Sequence, residues 1–368
     1  MRILICPDSY KGSADARSVA HAIEQGVSRA ISCVSTEMLP MADGGEGSAA
    51  IISEALGGQD VRITVTGPYF ERVEANYCIS EDVAYIEMAE ASGLCLSDRR
   101  ECEYATTYGT GEMMVDAQRR GVKSIVVFIG GSATCDGGMG MAAALGYRFY
   151  SADGELLLPI GRNMQKVVSI LRPSVDVLSD ITVSCACDVS NVMYGEMGAA
   201  QVFARQKGAD DHAVLELDRG LKNLADVIER ELGVDVHTLL GGGAAGGLGA
   251  GLYAFAGAEM LSGFSVISKA LSLEKKICDS DIVITGEGCT DSQSMMGKVV
   301  GNIAQLCRKH SKKCIVISGI VRDIDSLPCV GIHSAYQSSS YAPSISESIR
   351  DACEFIELAA EDAVREFI

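Results

Sequence analysis

Short apolar runs alternate along the chain with longer stretches in which apolar residues recur every three or four positions. The runs at 125–129 and 282–284 contain no charged residue, which predicts strands buried on both faces of a sheet. The stretch at 16–31 has helical spacing, and Ser13 or Asp15 can cap its start. Because strands and helices follow one another in turn, the pattern predicts an α/β fold with parallel sheets.

The strand–loop–helix order of residues 2–56 returns near the end of the chain, whereas shorter strands follow residue 64. A chain of 368 residues usually folds as more than one domain. We therefore predict two domains. One is a parallel-sheet domain built from residues 1–64 and 264–368, and the other is a central α/β domain inserted at 65–263.

The apolar run at 125–129 leads into a glycine-rich loop at 130–138, and a helix-like segment follows. A strand, a glycine turn and a helix in that order form an anion site, because unpaired backbone N–H groups point out of the helix start. Glycines let a phosphate approach the backbone, while hydroxyl and carboxylate groups suit phosphate and a divalent metal ion. The candidates for binding nucleotide phosphates in this loop are Gly130, Gly131, Ser132, Thr134 and Asp136.

Two alternatives to a phosphate site stay open for this loop. Residues 138–143 imitate a dinucleotide-binding fingerprint, but no acidic residue follows at the spacing that a ribose contact needs. The glycines can also serve close packing alone. The phosphate interpretation is favoured because similar turns recur. One of them opens a helix at 105–112 and adds Thr107, Gly109 and Thr110 as phosphate candidates.

Polar side chains also follow two predicted strands near the N-terminus, at the sheet edge where ligands usually bind. The strand at 2–6 leads to Asp8, Ser9 and Lys11, for which capping and solvation are the open alternative. The strand at 34–39 leads to two carboxylates beside a pair of glycines, which suggests a metal ion or an acceptor hydroxyl group. The candidates in this second turn are Asp43, Gly44, Gly45 and Glu46.

Further candidates lie in the second half of the chain. Asp188 ends the predicted strand at 181–186, and Glu287 and Asp291 follow the strand at 282–284. Asp188 is favoured over any surface acid because of its place at a strand end. Lys207 and Lys298 each lie beside a glycine and can meet an anion, although an exposed lysine is usually just solvated.

Composition and charge narrow the class of protein. There are 49 acidic and 31 basic residues, a formal net charge of -18, which argues against a nucleic-acid partner. The 14 cysteines are scattered without a CxxC pair, and the N-terminus lacks the apolar region of a signal peptide. We therefore expect the protein to be located in the reducing cytoplasm. The uncharged stretch at 239–258 is long enough for a membrane span. Its many glycines favour a buried loop and helix instead, so no membrane partner is expected.

Several motifs occur in one order over essentially the whole chain. They are CPDSYKGS at 6–13, LPMADGGEG at 39–47, ATTYGTGE at 105–112, GGSATCDGG at 130–138, ACDV at 186–189, AAGGLGAG at 244–251 and TGEGCTDSQ at 285–293. Together they resemble the motifs of the type I glycerate kinases. The resemblance implies an ATP-dependent kinase that phosphorylates D-glycerate with Mg²⁺, giving 2-phosphoglycerate in most relatives and 3-phosphoglycerate in some.

The same resemblance implies a flavodoxin-like (Rossmann-like) domain made from both chain ends, a distinct central domain, and an active site in the cleft between them. Two other functions stay open. One is a kinase for another small hydroxy acid, since pocket shape decides among such acids, and the other is a nucleotide-binding relative without catalysis. Homodimer formation also stays open, because no stretch of sequence demonstrates it.

The chain departs from the family pattern at a few positions. Cys6 stands where alanine is common, Cys135 where asparagine is usual, and Cys289-Thr290 where arginine and an aliphatic residue are common. No proline follows Lys298. The missing guanidinium group removes a bidentate anion contact, so any role of that arginine is in doubt here.

A phosphoryl-transfer mechanism divides the candidates by role, because it needs aligned phosphates, neutralised charge and an oriented acceptor hydroxyl group. Asp43 or Asp188 serves as the base or orienting group, and Lys11 or Lys298 meets a phosphate or the substrate carboxylate. The expected metal ligands are Asp8, Glu287 and Asp291. The expected acceptor-binding residues are Asp8, Ser9, Gly44, Gly45, Glu46 and Lys207. The 130–138 loop, Thr107, Gly109, Thr110 and Lys298 are expected to bind nucleotide.

Overall fold

A computed structural model describes residues 1–42, 44–45, 47–292, 294–295, 298–322 and 331–367. By contacts the chain divides into two compact units, Met1–Asp43 with Phe264–Ile368, and Gly44–Gly263. Both units combine helices with parallel strands, which confirms the predicted α/β class. The predicted domain boundary after residue 64 stays a prediction; by contacts, residues 44–64 lie with the second unit.

The described strands are β1 Arg2–Ile5, β2 Ser35–Met38, β3 Gln59–Thr66, β4 Arg72–Ser80, β5 Val83–Glu87, β6 Ser124–Phe128, β7 Arg148–Tyr150, β8 Ser169–Leu171, β9 Thr182–Ala186, β10 Glu259–Leu261, β11 Ile282–Thr285, β12 Cys289–Thr290, β13 Lys313–Ser318, β14 Ile320–Val321 and β15 Ile332–Gln337. The described helices are α1 Ala16–Ala30, α2 Ser48–Leu56, α3 Ala89–Ser92, α4 Tyr108–Arg119, α5 Met139–Ala144, α6 Ala199–Phe203, α7 Asp211–Leu232, α8 Ala244–Ala256, α9 Gly263–Ala270, α10 Leu273–Asp279, α11 Val299–Lys309, α12 Ile345–Arg350 and α13 Ala352–Phe367.

The first unit contains a parallel sheet in the order β15-β13-β11-β1-β2. Counted along this unit, the order is 2-1-3-4-5, the flavodoxin-like order that the resemblance implies. Asp15 caps α1 by accepting a hydrogen bond of 2.7 Å from the Ser18 N–H. Helices α1 and α13 supply the apolar side chains that pack with Ile3, Ile5 and Ile284. The apolar runs therefore form the buried centre of this sheet.

The second unit contains a mixed sheet in the order β10-β9-β6-β5-β4-β3. Strands β5, β6, β9 and β10 are parallel, and β3 and β4 add an antiparallel edge. The uncharged run at 125–129 lies almost wholly in β6, between β5 and β9, and is buried as expected. Its loop leaves the carboxyl end of a central strand, where ligands bind in open α/β sheets.

The apolar spacing predicts one helix at about 265–277 and another at 344–368, but the structure divides both. A single helix at about 265–277 is wrong, because α9 ends at Ala270 and Ser272 adopts a left-handed conformation with φ of 52° before α10. The C-terminal segment from 344 is likewise two helices, since Asp351 separates α12 from α13 with φ of −112°. Apolar periodicity continues across both interruptions and therefore does not reveal them.

The glycine-rich stretch at 239–258 forms a buried turn and helix, as expected. Within α8, Ala245, Gly246 and Gly247 have left-handed backbone angles. Residues 244–252 are all buried. Among the described helices, none has the length and apolar character needed to cross a membrane.

Candidate functional site

In the second unit, the carboxyl ends of four parallel strands bear the 130–138 loop and Asp188, together with Glu87 and Gly263. Strand β5 ends at Glu87, β6 leads into the 130–138 loop, β9 leads to Asp188, and β10 leads to Gly263. Parallel pairing aligns these ends along one edge of the sheet. The sheet therefore gathers residues that are far apart in sequence.

Asp188 lies beside Gly44 and Gly263. The Gly263 N–H donates a hydrogen bond of 3.0 Å to Oδ1 of Asp188, which orients this exposed carboxylate. A Cβ atom on Gly44 would lie 2.6 Å from the Gly263 Cα and 3.1 Å from Oδ2 of Asp188. Gly44 also has φ of 90°, so only glycine fits there without strain. The structure thus brings together one predicted base and one predicted acceptor-binding residue.

The acidic turn around Gly44 is described only in part. Asp43 and Glu46 lie outside the described residues, and their predicted roles stay predictions. Gly45 is half-buried, and its carbonyl oxygen accepts a 2.7 Å hydrogen bond from the Ser48 hydroxyl group. This contact ties the turn to the first residue of α2.

Glu87 is a residue of this region that the sequence-based set omits. It is 8% exposed, and its two oxygens accept hydrogen bonds from the N–H groups of Gly47 at 3.1 Å and Ala49 at 2.8 Å. The carboxylate therefore satisfies backbone donors at the start of α2 and holds the end of the acidic turn. The available signal was a single acid closing the otherwise apolar strand at 83–87.

Asp136 organises the interior of the 130–138 loop. Its carboxylate is 0% exposed and accepts hydrogen bonds from the Thr107 N–H at 2.8 Å, the Thr107 hydroxyl at 2.9 Å, the Gly138 N–H at 3.0 Å and the Gly140 N–H at 3.1 Å. Burial raises the pKa of Asp136, and these hydrogen bonds oppose that rise. The described contacts make Asp136 the link between the starts of α4 and α5. Direct contact with nucleotide stays a prediction.

The three candidates at the start of α4 also make contacts within the protein. The Thr107 hydroxyl group accepts a 2.9 Å hydrogen bond from the Met141 N–H, and the hydroxyl groups of Thr110 and Ser92 lie 3.0 Å apart. Gly109 faces the carbonyl oxygen of Thr66 so closely that a Cβ would lie 1.9 Å from it. These residues shape the helix start, and their nucleotide contacts stay predictions.

Lys207 packs against the 130–138 loop and is buried, whereas most lysine side chains are solvated. Its side chain is 3% exposed, and its ammonium group donates to the Ser132 hydroxyl oxygen and, at 2.8 Å, to the Thr134 carbonyl oxygen. Burial lowers the pKa of Lys207. Gly208, with φ of 94°, makes the tight approach possible, because a Cβ there would lie 1.9 Å from the Arg100 carbonyl oxygen. The structure thereby places Lys207, predicted to bind the acceptor, against Ser132 and Thr134, predicted to bind phosphate.

The glycines that precede Ser132 lie nearer the surface. Gly130 is half-buried and Gly131 is exposed. The Gly131 carbonyl oxygen accepts a 2.9 Å hydrogen bond from the Leu94 N–H. An anion can therefore approach the loop from its glycine end.

The first unit gathers a second set of candidates after β1 and β11, which are neighbouring strands. The Asp8 N–H donates to the Gly286 carbonyl oxygen at 2.9 Å, and the Ser9 N–H donates to Oδ1 of Asp8 at 2.6 Å. Lys11 is exposed in the same loop. A Cβ atom on Gly288 would lie 3.6 Å from the backbone nitrogen of Lys11, so the loops after β1 and β11 are in close contact.

Glu287 is the most buried of these carboxylates, at 8% exposure. Burial raises its pKa, while hydrogen bonds from Ser294 and Thr290 and the charge of Lys298 oppose the rise. The Lys298 ammonium nitrogen lies 4.0 Å from Oε2 of Glu287. Asp291 accepts a 3.2 Å hydrogen bond from the Ser294 N–H. Lys298, Glu287 and Asp291 therefore belong to one charged neighbourhood.

Among the described side chains, no group of three from histidine, cysteine, aspartate and glutamate could hold a metal ion. Asp8, Glu287 and Asp291 do not form such a cage. Magnesium is commonly bound through one or two carboxylates together with phosphate oxygens and water. The chemistry of these oxygen donors fits Mg²⁺ of that kind.

Cys135 and Cys289, two departures from the family pattern, have different surroundings. Cys135 is 1% exposed, and burial raises the pKa of its thiol group. Cys289 is half-buried in β12, where it pairs with Ile320. Cys135 therefore behaves as a small, buried apolar side chain within the 130–138 loop.

Comparisons with known proteins agree over the whole chain. A model of the glycerate kinase family matches residues 3–368. The chain is 39% identical to the glycerate kinase of Halalkalibacterium halodurans over 366 residues, covering 98% of this chain and 96% of that protein. It is 41% identical to the glycerate 2-kinase of Escherichia coli K12 over 362 residues, covering 97% and 95%. A crystal structure assigned as glycerate kinase 2 from Salmonella typhimurium LT2 is 40% identical with a TM-score of 0.87, covering 100% of this chain and 98% of that one.

Proposed function

The chain belongs to the glycerate kinase family, and we propose that it transfers the γ-phosphoryl group of ATP to D-glycerate and forms 2-phosphoglycerate. The observation that carries this proposal is the family match over residues 3–368. The name of the Escherichia coli relative, glycerate 2-kinase, supports the 2-hydroxyl group as the acceptor.

In the proposed reaction, the 2-hydroxyl oxygen of glycerate forms a bond to the γ-phosphorus while the bond from that phosphorus to the β,γ-bridging oxygen breaks. ADP leaves with the bond's electron pair, and the hydroxyl proton passes to a carboxylate. Asp188 is our choice for this carboxylate, because the Gly263 N–H orients it and its side chain is exposed after the carboxyl end of β9. Asp43 is the alternative from the sequence. Lys11 is the proposed cation that neutralises developing charge.

Binding of the two substrates is divided among the loops. We assign nucleotide phosphates to Gly130, Gly131, Ser132 and Thr134, with Lys298 as a further cation. Asp136, Thr107, Gly109 and Thr110 hold these loops in shape through their buried contacts. The proposed acceptor-binding residues are Asp8, Ser9, Gly44, Gly45, Glu46 and Lys207.

Mg²⁺ is the proposed cofactor beside ATP. Asp8, Glu287 and Asp291 are the candidates for the one or two carboxylates that would hold the ion, which would neutralise phosphate charge when bound. The neighbouring Lys298 contributes a second positive charge at Glu287. Omitting Mg²⁺ from the assay, with EDTA present, tests this requirement.

The test of the proposed function is ADP release in the presence of ATP and Mg²⁺. D-glycerate is compared with L-glycerate, tartronate and glycerol, and phosphorus NMR identifies the phosphorylated position. Turnover with D-glycerate to 2-phosphoglycerate supports the proposal. Turnover only with another acceptor, or a 3-phosphorylated product, overturns the stated acceptor or position.

A further inference from the structure

Lys207 is a buried cation whose described partners are both neutral. An ammonium group has three protons to donate. One goes to the Ser132 hydroxyl oxygen and one to the Thr134 carbonyl oxygen. In the part of the chain that the structure describes, no carboxylate forms an ion pair with this group within 4.0 Å. Burying a positive charge with neutral acceptors alone is unfavourable, so the site lacks a negative partner.

Thr134 provides an independent sign that the same site is incomplete. Its hydroxyl oxygen is buried and has no hydrogen-bond partner among the described residues. The carbonyl oxygen of this residue already accepts from Lys207. A buried hydroxyl group in a native protein normally has a partner, so an unpaired one beside an unneutralised ammonium group indicates a ligand.

Asp136 does not supply the missing charge at close range. All four of its described hydrogen bonds run to Thr107, Gly138 and Gly140, and none runs to Lys207. Asp136 acts on Lys207 only through its more distant field. The part of the loop nearest the surface is its glycine end, where Gly131 is exposed and Ser132 is 6% exposed.

We propose that Lys207, Ser132 and Thr134 form one binding site for an anionic oxygen, with Lys207 donating its third proton and Thr134 donating its hydroxyl proton. The inference rests on the proposed function, because the oxygen belongs either to the acceptor carboxylate or to a nucleotide phosphate. It replaces two separate sequence-based roles, acceptor for Lys207 and phosphate for Ser132 and Thr134, with a single shared ligand.

The most direct test is Thr134→Val, which removes the hydroxyl group while keeping the shape of the side chain. Lys207→Met removes the charge at similar length. Lys222→Met is the matched control, because Lys222 is an exposed lysine on α7 that pairs with Asp226. The measurements are KM for ATP and for D-glycerate, together with thermal stabilisation by ADP, D-glycerate and inorganic phosphate, each added alone.

We expect Thr134→Val and Lys207→Met to raise one KM about 10- to 100-fold, as loss of a hydrogen bond to a charged group does, while the control keeps both values. The same ligand should lose its stabilising effect. A change confined to D-glycerate identifies the acceptor carboxylate, and a change confined to ATP and ADP identifies a nucleotide phosphate.

A purely structural role makes the opposite prediction. Removing an unpaired hydroxyl group from the interior would then raise the melting temperature of Thr134→Val, with both KM values and every ligand shift unchanged. That result overturns the inference and leaves the proposed function intact. If the wild-type protein shows no glycerate turnover, the proposed function fails, and the ligand shifts of ADP and inorganic phosphate still decide whether this site binds anions.

Discussion

The backbone nitrogen of Gly263 lies 3.0 Å from Oδ1 of Asp188 and donates a hydrogen bond to it, which joins the first residue of α9 to a residue just beyond β9. The two strands are parallel neighbours, so the contact depends on the sheet and not on closeness in sequence. It orients a carboxylate that the sequence singles out only by its place after a strand.

Asp188→Asn should lower kcat about 100- to 10,000-fold, because the amide group cannot accept the hydroxyl proton. Nucleotide binding should persist, as measured by titration calorimetry with ADP. Asp180→Asn is the matched control, since Asp180 is an exposed aspartate of the same unit that precedes β9. Asp43→Asn is tested beside it. Near-normal turnover in both Asp188→Asn and Asp43→Asn would remove both residues from the role of base.

Gly44→Ala should reduce kcat/KM for glycerate, whereas the control variant Gly195→Ala should leave it unchanged. The added Cβ would lie 2.6 Å from the Gly263 Cα and 3.1 Å from Oδ2 of Asp188, which displaces the carboxylate. Gly195→Ala is the control, because Gly195 has φ of 92° and nothing within 4 Å of its Cβ position. Both variants should lose about 1–2 kcal/mol of unfolding free energy from left-handed strain, and Gly44→Ala should lose more because its Cβ meets the Gly263 backbone. Equal activity losses in the two would show that the contact with Asp188 is unimportant.

Glu87→Gln should destabilise the protein by about 1–3 kcal/mol, because an amide NH₂ group would face a backbone N–H of Gly47 or Ala49. KM for glycerate should rise as the acidic turn loosens. Glu90→Gln is the comparison, since Glu90 accepts from the Asn76 N–H at 3.0 Å on β4. Urea unfolding and initial-rate kinetics separate the two effects. A KM rise of equal size in Glu90→Gln would contradict a specific role for Glu87.

Lys207 should make the unfolding free energy depend on pH. Burial lowers its pKa in the folded protein below the ordinary lysine value of about 10.4 expected for the unfolded chain. At pH values between these two pKa values, the unfolded chain holds more protons than the folded protein. The unfolding free energy therefore rises with pH in this range, and at lower pH Lys207 makes no such contribution.

The Lys207 effect is read as the difference between wild type and Lys207→Met, because buried cysteines titrate in the opposite sense. Their thiol pKa values are raised by burial in the folded protein, for example that of Cys102 to about 11. The difference in unfolding free energy should change in favour of the wild type as pH rises from neutral toward about 10. A difference that is independent of pH would show that the Lys207 pKa is not lowered.

Sequence patterns were sufficient for the parts of this protein that depend on local chemistry. The uncharged run at 125–129 predicted a buried strand, because such a run is stable only where both faces of a sheet are covered. The motifs along the chain indicated its family, which the match over residues 3–368 shows. Strand-end positions also singled out Asp188 and the 130–138 loop as candidates.

Tertiary structure decided which candidates meet and which groups remain unpaired. Ser272 interrupts a segment that apolar periodicity predicts as one helix, since a left-handed residue between α9 and α10 leaves the apolar spacing intact. Glu87 reaches the start of α2 from a distant strand, and Asp136 takes its donors from two helix starts. Lys207 looks like a surface lysine in sequence, yet folding buries it against Thr134. Sequence determines the donors and acceptors each residue carries, but burial and long-range contacts determine whether those groups are satisfied, and these exist only once the sheets have formed.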